Sequence, residues 1–352
     1  MYPFRILTFN GGGIRGAFGV AFLARLEELT GAPVVDHFDL IAGTSTGAII
    51  AASLALGLPA SELERFYRED GGEIFHAREP YRARGFMRPL YPLASRVLRR
   101  RTGQGMDSFF RARYCPFRLR TSLTKVFGDR TIGDLTRARV IIPSVNLSLG
   151  QARIFRTPHL PSAEADRDLT IVDVLRAATA APTYFPHKVM PDGHAYCDGG
   201  VWANAPAVVA MGEAMKIRQL CDRPSCDPAY DTSTIRLLSI GTGRTTYSLK
   251  PPGADAGLLY WSSRIADVMG VSQMQGAQLP MEFALGDRYH PVDFDLPNRS
   301  WSLDGVDHIP ELMALGRQSA EAHLSRIQEQ FLVGLAMAYV PYPETRAVQE
   351  VS

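Results

Sequence analysis

The chain has 352 residues, 46% of them hydrophobic and 21% charged, with a formal net charge of +2. This is close to the average for folded globular proteins and excludes disordered and fibrous classes. No stretch approaches the roughly 18 consecutive apolar residues of a membrane-spanning helix, since the longest candidate, residues 48–58, is broken by Ser53 and Gly57; a helical integral membrane protein is not expected.

Residues 4–9 form a short apolar run that ends at Asn10 and three glycines, the pattern of a buried strand entering a sharp turn. Phe18, Phe22, Leu26 and Leu29 then recur at helical steps, and Gly31 supplies a stop. A strand over 38–42 and a helix over 46–56 follow. Strand, turn, helix, strand, turn, helix within sixty residues predicts an α/β fold with a parallel sheet and crossover helices. Pro59 and the capping-box pattern Ser61-x-x-Glu64 predict another helix that runs out before Gly71-Gly72.

From His76 to Arg120 the chain carries twelve arginines, no lysine and two acids, so this segment holds +10 and leaves −8 for the rest. Its poor periodicity and its prolines predict a surface insertion at about 76–120. Interleaved Tyr81, Phe86, Tyr91, Phe109 and Phe110 suit an anionic membrane surface. No groove-reading motif accompanies the charge, so a nucleic-acid polymer is not expected as a partner.

Strands are predicted over 140–147 and 152–157, joined by a turn at Leu149-Gly150, and Thr170-x-x-Asp173 caps a helix that Pro182 and Pro186 terminate. A strand over 194–197 meets Asp198-Gly199-Gly200. A helix over about 204–217, a strand over 235–240 and a long helix from Ile309 to about Val340 complete the reading. A single unit over 1–340 and a frayed tail over 341–352 are expected. Cys115, Cys197, Cys221 and Cys226 are too sparse for a disulfide scaffold and match no common zinc spacing. The N-terminus shows no basic and apolar leader, so a cytoplasmic location is expected.

The chemistry concentrates in three turns. Ser45, between Gly43 and Gly47 after a strand and before a helix, matches a nucleophile elbow, in which the hydroxyl stands exposed at a helix N-terminus. Gly11, Gly12 and Gly13 form a second strand-to-helix turn whose N–H groups can converge as an oxyanion hole. Asp198 lies on a third turn and becomes the candidate general base. Gly11-x-Gly13-x-x-Gly16 with Asp36 about twenty residues on also satisfies a dinucleotide fingerprint, so a nucleotide-binding module without acyl chemistry is the competing reading; the short segment at Val34-Val35 and the adjacent elbow count against it. His290 and His308 follow Asp198 in the chain order of a Ser-Asp-His triad, and His187 and His194 flank the turn before Asp198 and are expected near the pocket. Arg15 is unusual at a helix N-terminus; it calls for an acidic partner or a contact to a substrate phosphate.

Gly11 to Gly16, the Gly-Thr-Ser-Thr-Gly elbow at 43–47 and Asp198-Gly199-Gly200 together resemble the patatin-like phospholipases. Ala181-Pro182-Thr183-Tyr184-Phe185-Pro186 and Ser239-Ile240-Gly241-Thr242-Gly243 resemble further family segments. The resemblance implies a three-layer α/β fold with a mainly parallel central sheet. It also implies a Ser45–Asp198 dyad without histidine, an oxyanion hole in the first glycine loop, and no metal or organic cofactor. The substrate would be a fatty-acyl ester of a membrane glycerophospholipid, cleaved at the inner face of the membrane. One departure is Asn10, where the family usually has aspartate. A related acyltransferase or thioesterase would use the same elbow, but Thr44 and Thr46 stand where such enzymes usually carry histidine. A chain of this kind also resembles bacterial antiphage effectors switched on by a cyclic dinucleotide, which implies a nucleotide ligand and is compatible with an oligomer; no residue in the sequence identifies the nucleotide pocket.

Overall fold

The computed structural model describes residues 2–75, 110–220, 230–245, 265–298 and 300–342, with the isolated positions 78, 96, 257 and 261. The central sheet runs β5(Lys188–Val189), β6(Ala195–Asp198), β3(Arg139–Asn146), β2(Leu40–Gly43), β1(Arg5–Phe9), β7(Arg236–Ile240), β9(Tyr289–Val292), with β4(Gln151–Arg156) also paired to β3. β3, β2, β1, β7 and β9 are mutually parallel, while β4, β5 and β6 join antiparallel. β8(Arg244–Thr245) and β10(Asp295–Leu296) make a separate two-stranded ribbon.

Alternation along the strands builds two cores. Leu7, Phe9, Ile41, Leu238 and Ile240 face one apolar cluster, and Ile6, Leu40, Ala42 and Leu237 face the other, as a sheet covered on both faces requires. The first cluster is closed by α1(Gly16–Thr30), α2(Thr46–Leu56), α3(Ala60–Ile74), α4(Pro116–Phe127), α5(Ile171–Ala178) and α8(Ile309–Gln330). The second is closed by α6(Ala207–Leu220) and α7(Ile265–Leu285). The arrangement is the three-layer α/β fold expected.

Most elements fall where periodicity puts them. The Thr170 hydroxyl accepts from the Asp173 N–H at 3.2 Å as the α5 cap, and Gly31 ends α1 in the left-handed region at φ 70°. Three expectations are corrected. Helix α3 begins at Ala60, whose N–H is taken by Glu27 at 2.9 Å; Glu64 is not part of a capping box but pairs with Arg68 at 2.9 Å and Arg317 at 2.8 Å. The same helix runs through Gly71 and Gly72 because Gly71 lies against Ile14 and Ile309, where a side chain would crowd. Helix α8 stops at Gln330 rather than near Val340. Beyond it the carbonyls of Val333 and Gly334 accept from the buried Arg5 guanidinium at 2.6 and 3.0 Å, so tertiary hydrogen bonds replace further helical turns.

Most of the arginine-rich segment, and both Cys221 and Cys226, lie outside the described residues. The described part of that segment is anchored: Tyr114 and Leu119 are buried, and Arg113 and Tyr114 share the Asp304 carboxylate.

Candidate active site

Strand β2 delivers its C-terminus to the edge of the sheet, and the chain reverses there into α2. Ser45 occupies the reversal with φ 54° and ψ −123°, a conformation that a residue with a side chain rarely adopts and that costs on the order of 1–3 kcal/mol. Gly43 and Gly47 make the turn sterically feasible: a Cβ on Gly43 would strike the Gly47 carbonyl, and one on Gly47 would sit 2.5 Å from the Phe9 carbonyl oxygen. Gly47→Ala is therefore expected to destabilise the fold by about 3 kcal/mol or more. Denaturant unfolding checks this, and an unchanged midpoint would show that the elbow can yield. The Thr44 hydroxyl donates to the Ala203 carbonyl at 2.6 Å, tying the elbow to the turn that carries the aspartate.

Asp198 reaches the same edge by another route. β6 pairs antiparallel with β3, aligning Asp198 with Ser144, and β3 is the parallel neighbour of β2. Two residues 153 positions apart thus meet: Ser45 Oγ donates to Asp198 Oδ2 at 2.6 Å, and the other carboxylate oxygen accepts the Gly200 N–H at 2.7 Å. Burial pushes the Asp198 carboxyl up to about 6, against the lowering effect of those two hydrogen bonds. That value moves a carboxylate closer to what a general base near neutral pH needs.

The first glycine turn lies beside Ser45, close enough that a Cβ on Gly11 would be 3.2 Å from that of Ser45. Its N–H groups have divided roles. Gly11 donates to the Asn204 carbonyl at 2.9 Å and Ile14 to the Leu303 carbonyl at 2.8 Å, whereas the N–H groups of Gly12 and Gly13 have no partner among the described residues. Gly11 is thus corrected from a candidate donor to an anchor. Its carbonyl accepts from Asn204 Nδ2 at 3.2 Å and from the Thr242 hydroxyl at 2.9 Å. Gly13 has φ +57° and packs against the Leu303 carbonyl, so only glycine fits there. Asn10 does not bond the turn through its side chain; its Nδ2 meets the Met274 sulfur at 3.5 Å and its buried Oδ1 has no partner among the described residues.

Ser45, Asp198 and the three glycines line a cavity of about 1200 Å³, above the roughly 300–1,000 Å³ of pockets for drug-sized ligands. Its walls include Ile49, Phe66, Ile74, Phe75, Leu119 and Phe185, and the cations Arg15 and Arg244 reach it. Arg15 Nε donates to the Gly12 carbonyl at 3.4 Å, and Arg244 pairs with Asp295 at 3.2 Å.

None of the described histidines lines this cavity. His290 is buried against His323, ring nitrogens 3.1 Å apart, and burial lowers it to about 4. His308 stacks on Trp301 at 4.7 Å. His187 is exposed, and His194 bonds Asn146 at 2.9 Å. The expectation that His187 and His194, on either side of the turn before Asp198, line the pocket is therefore not met. Asp36, the acid of the dinucleotide reading, pairs with Arg137 and is absent from the cavity wall. Among the described residues no cluster of His, Cys, Asp or Glu could hold a metal ion, and no helix is long and apolar enough to cross a membrane.

Sequence reasoning missed Asn204, which holds Gly11 through both backbone and side chain, and α7, which supplies Gln273 and Met274 to the cavity. The Gln273 side chain accepts from the Asn204 N–H at 3.1 Å and donates to the Val201 carbonyl at 2.9 Å. A bare Asn and Gln in uncharged stretches carry no pattern that marks them.

A family model described as patatin-like phospholipase matches residues 7–211. The chain is 32% identical over 309 residues to a cGAMP-activated phospholipase of Pseudomonas aeruginosa, covering 87% of this chain and 83% of that protein. It is 32% identical over 345 residues to a cGAMP-activated phospholipase of Vibrio cholerae, covering 92% of each. Patatin-like protein 1 of Oryza sativa subsp. indica is 34% identical over 265 residues, covering 68% of this chain and 59% of that protein. The chain belongs to the patatin-like phospholipase family, hydrolases that act on lipid esters through a serine nucleophile.

Proposed function

We propose that the protein is a phospholipase that cleaves fatty-acyl esters of membrane glycerophospholipids with Ser45 as nucleophile and Asp198 as general base, and that a cyclic dinucleotide activates it. The observation that carries this reading is the 2.6 Å Ser45–Asp198 hydrogen bond on the wall of the large apolar cavity. As Ser45 Oγ attacks the ester carbonyl, its proton passes to Asp198 Oδ2. The carbonyl oxygen becomes an oxyanion that the N–H groups of Gly12 and Gly13 receive, each donor contributing about 3 kcal/mol. Collapse expels the alcohol, the lysophospholipid, which takes the proton from Asp198. Water, deprotonated in turn by Asp198, then releases the fatty acid and restores Ser45. Arg15 and Arg244 are the cations that a lipid phosphate at the cavity would meet.

Activation by a nucleotide rests on the relatives described as cGAMP-activated phospholipases. The test is fatty-acid release from phosphatidylethanolamine–phosphatidylglycerol vesicles with and without cGAMP. Release that depends on the nucleotide is expected. Equal release without it would remove the activation, and none in either condition would remove the phospholipid substrate.

A further inference from the structure

Helix α7 is apolar on two faces. Ala277, Met281 and Leu285 are buried on the sheet side, yet Phe283 is 87% exposed, Leu279 51%, and Met269 and Ile265 44% each. Positions 265, 269, 279 and 283 fall on one stripe of a helix, with the small residues Ser272 and Gly276 completing it at steps of three and four. From Val268 to Met281 there is no charged residue. Exposed apolar patches of this kind mark contact surfaces.

What this face contacts is indicated by where it leads. Met269 and Leu279 are at once exposed and part of the cavity wall, as is Val201. The exposed stripe and the apolar lining are therefore one continuous surface. A protein seated on Met269 and Leu279 would lie over the rim through which substrate enters, and the uncharged middle of the stripe offers nothing to fix the register of a protein partner. A bilayer needs no register, and it is the source of the substrate.

We propose that the outer face of α7 is the element by which the enzyme enters the lipid surface. Ile265 and Phe283 would insert at the two ends, and Met269 and Leu279 would let an acyl chain pass from bilayer to cavity without crossing water. This goes beyond the phospholipase reading and rests on it for the identity of the surface.

The test uses the full chain in the presence of cGAMP. Ile265 and Phe283 do not line the cavity, so Ile265→Asp and Phe283→Asp are expected to keep turnover of a monomeric short-chain p-nitrophenyl ester within twofold. Flotation with the phosphatidylethanolamine–phosphatidylglycerol vesicles and hydrolysis of those vesicles should both fall at least tenfold. Phe283→Trp should add an emission component that shifts to the blue when vesicles are added, a readout that does not depend on catalysis or on the stability of the charged variants. Unchanged flotation together with an unshifted tryptophan overturns the proposal. So does a wild-type dimer that Phe283→Asp converts to monomer while vesicle binding persists, which would assign the face to a second copy. If the wild type cleaves neither substrate but floats, and Phe283→Trp shows the shift, the phospholipase reading fails and the docking face stands.

Discussion

Replacing Ser45 by alanine is expected to lower phospholipid hydrolysis by on the order of 10⁵-fold or more, since loss of a serine nucleophile leaves only binding and oxyanion stabilisation. Fatty-acid release measured against the wild type, both with cGAMP present, checks this, and a variant retaining a tenth of wild-type activity would remove Ser45 from the mechanism. Comparison with Ser45→Gly separates chemistry from strain. Both variants lack the hydroxyl and lose the bond to Asp198, but only glycine adopts φ 54°, ψ −123° without steric cost. Ser45→Gly should therefore be as inactive as Ser45→Ala yet more stable by about 1 kcal/mol, a difference visible in the unfolding midpoint. Equal stability would mean that the elbow is not strained.

Asp198→Asn is expected to reduce turnover by on the order of 10⁴-fold, as removal of the orienting or accepting carboxylate does in other serine hydrolases. His308→Ala and His290→Ala should leave it nearly unchanged, because neither ring reaches the cavity. An inactive His308 variant beside an active Asp198 variant would overturn the dyad.

The same carboxyl sets a pH dependence. With the folded value raised to about 6, the base is lost by protonation below that pH, and kcat/KM on the soluble ester should fall about tenfold per unit as pH drops further. Stability moves the other way. The folded state binds the Asp198 proton more tightly than the unfolded chain does, so the stabilisation from this group is full below about 4, the unfolded value, and is lost as pH rises through about 6. At pH 7 the ionised, buried Asp198 therefore costs on the order of 3 kcal/mol, and Asp198→Asn should raise the unfolding midpoint there while abolishing activity. A lowered midpoint at pH 7 would show that the carboxylate is held by more than the two hydrogen bonds from Ser45 and Gly200.

The site was legible in the sequence to the extent that its geometry is local. A strand followed by Gly43-Thr44-Ser45-Thr46-Gly47 and an apolar helix forms a tight turn with its serine outward, because the close approach of Gly43 to the Gly47 carbonyl leaves no room for a side chain at Gly43. The α/β class was legible for a similar reason: the short apolar runs of β1, β2 and β7 and the apolar periodicity of α1 are properties of consecutive residues, whereas the three layers were implied only by the family resemblance. Helix α7 and strand β9 left no comparable trace. α7 contains Gly270, Gly276 and Pro280, and its apolar residues fall on two faces, so its period is not visible, and its existence follows from a sheet face that needs covering and from the cavity it walls.

By itself, then, the amino-acid sequence determined the two glycine turns that flank β1 and β2, the α/β class and the resemblance to a family, since each is carried by runs of consecutive residues. The tertiary structure decided what those turns can do. It brought Asp198 to 2.6 Å from Ser45 by pairing β6 with β3, placed every described histidine off the cavity wall, and divided the glycine N–H groups by giving Gly11 to Asn204 while leaving Gly12 and Gly13 without partners among the described residues. Hydrogen-bond partners separated by a hundred or more positions depend on how the sheet is ordered, and no local pattern encodes that order.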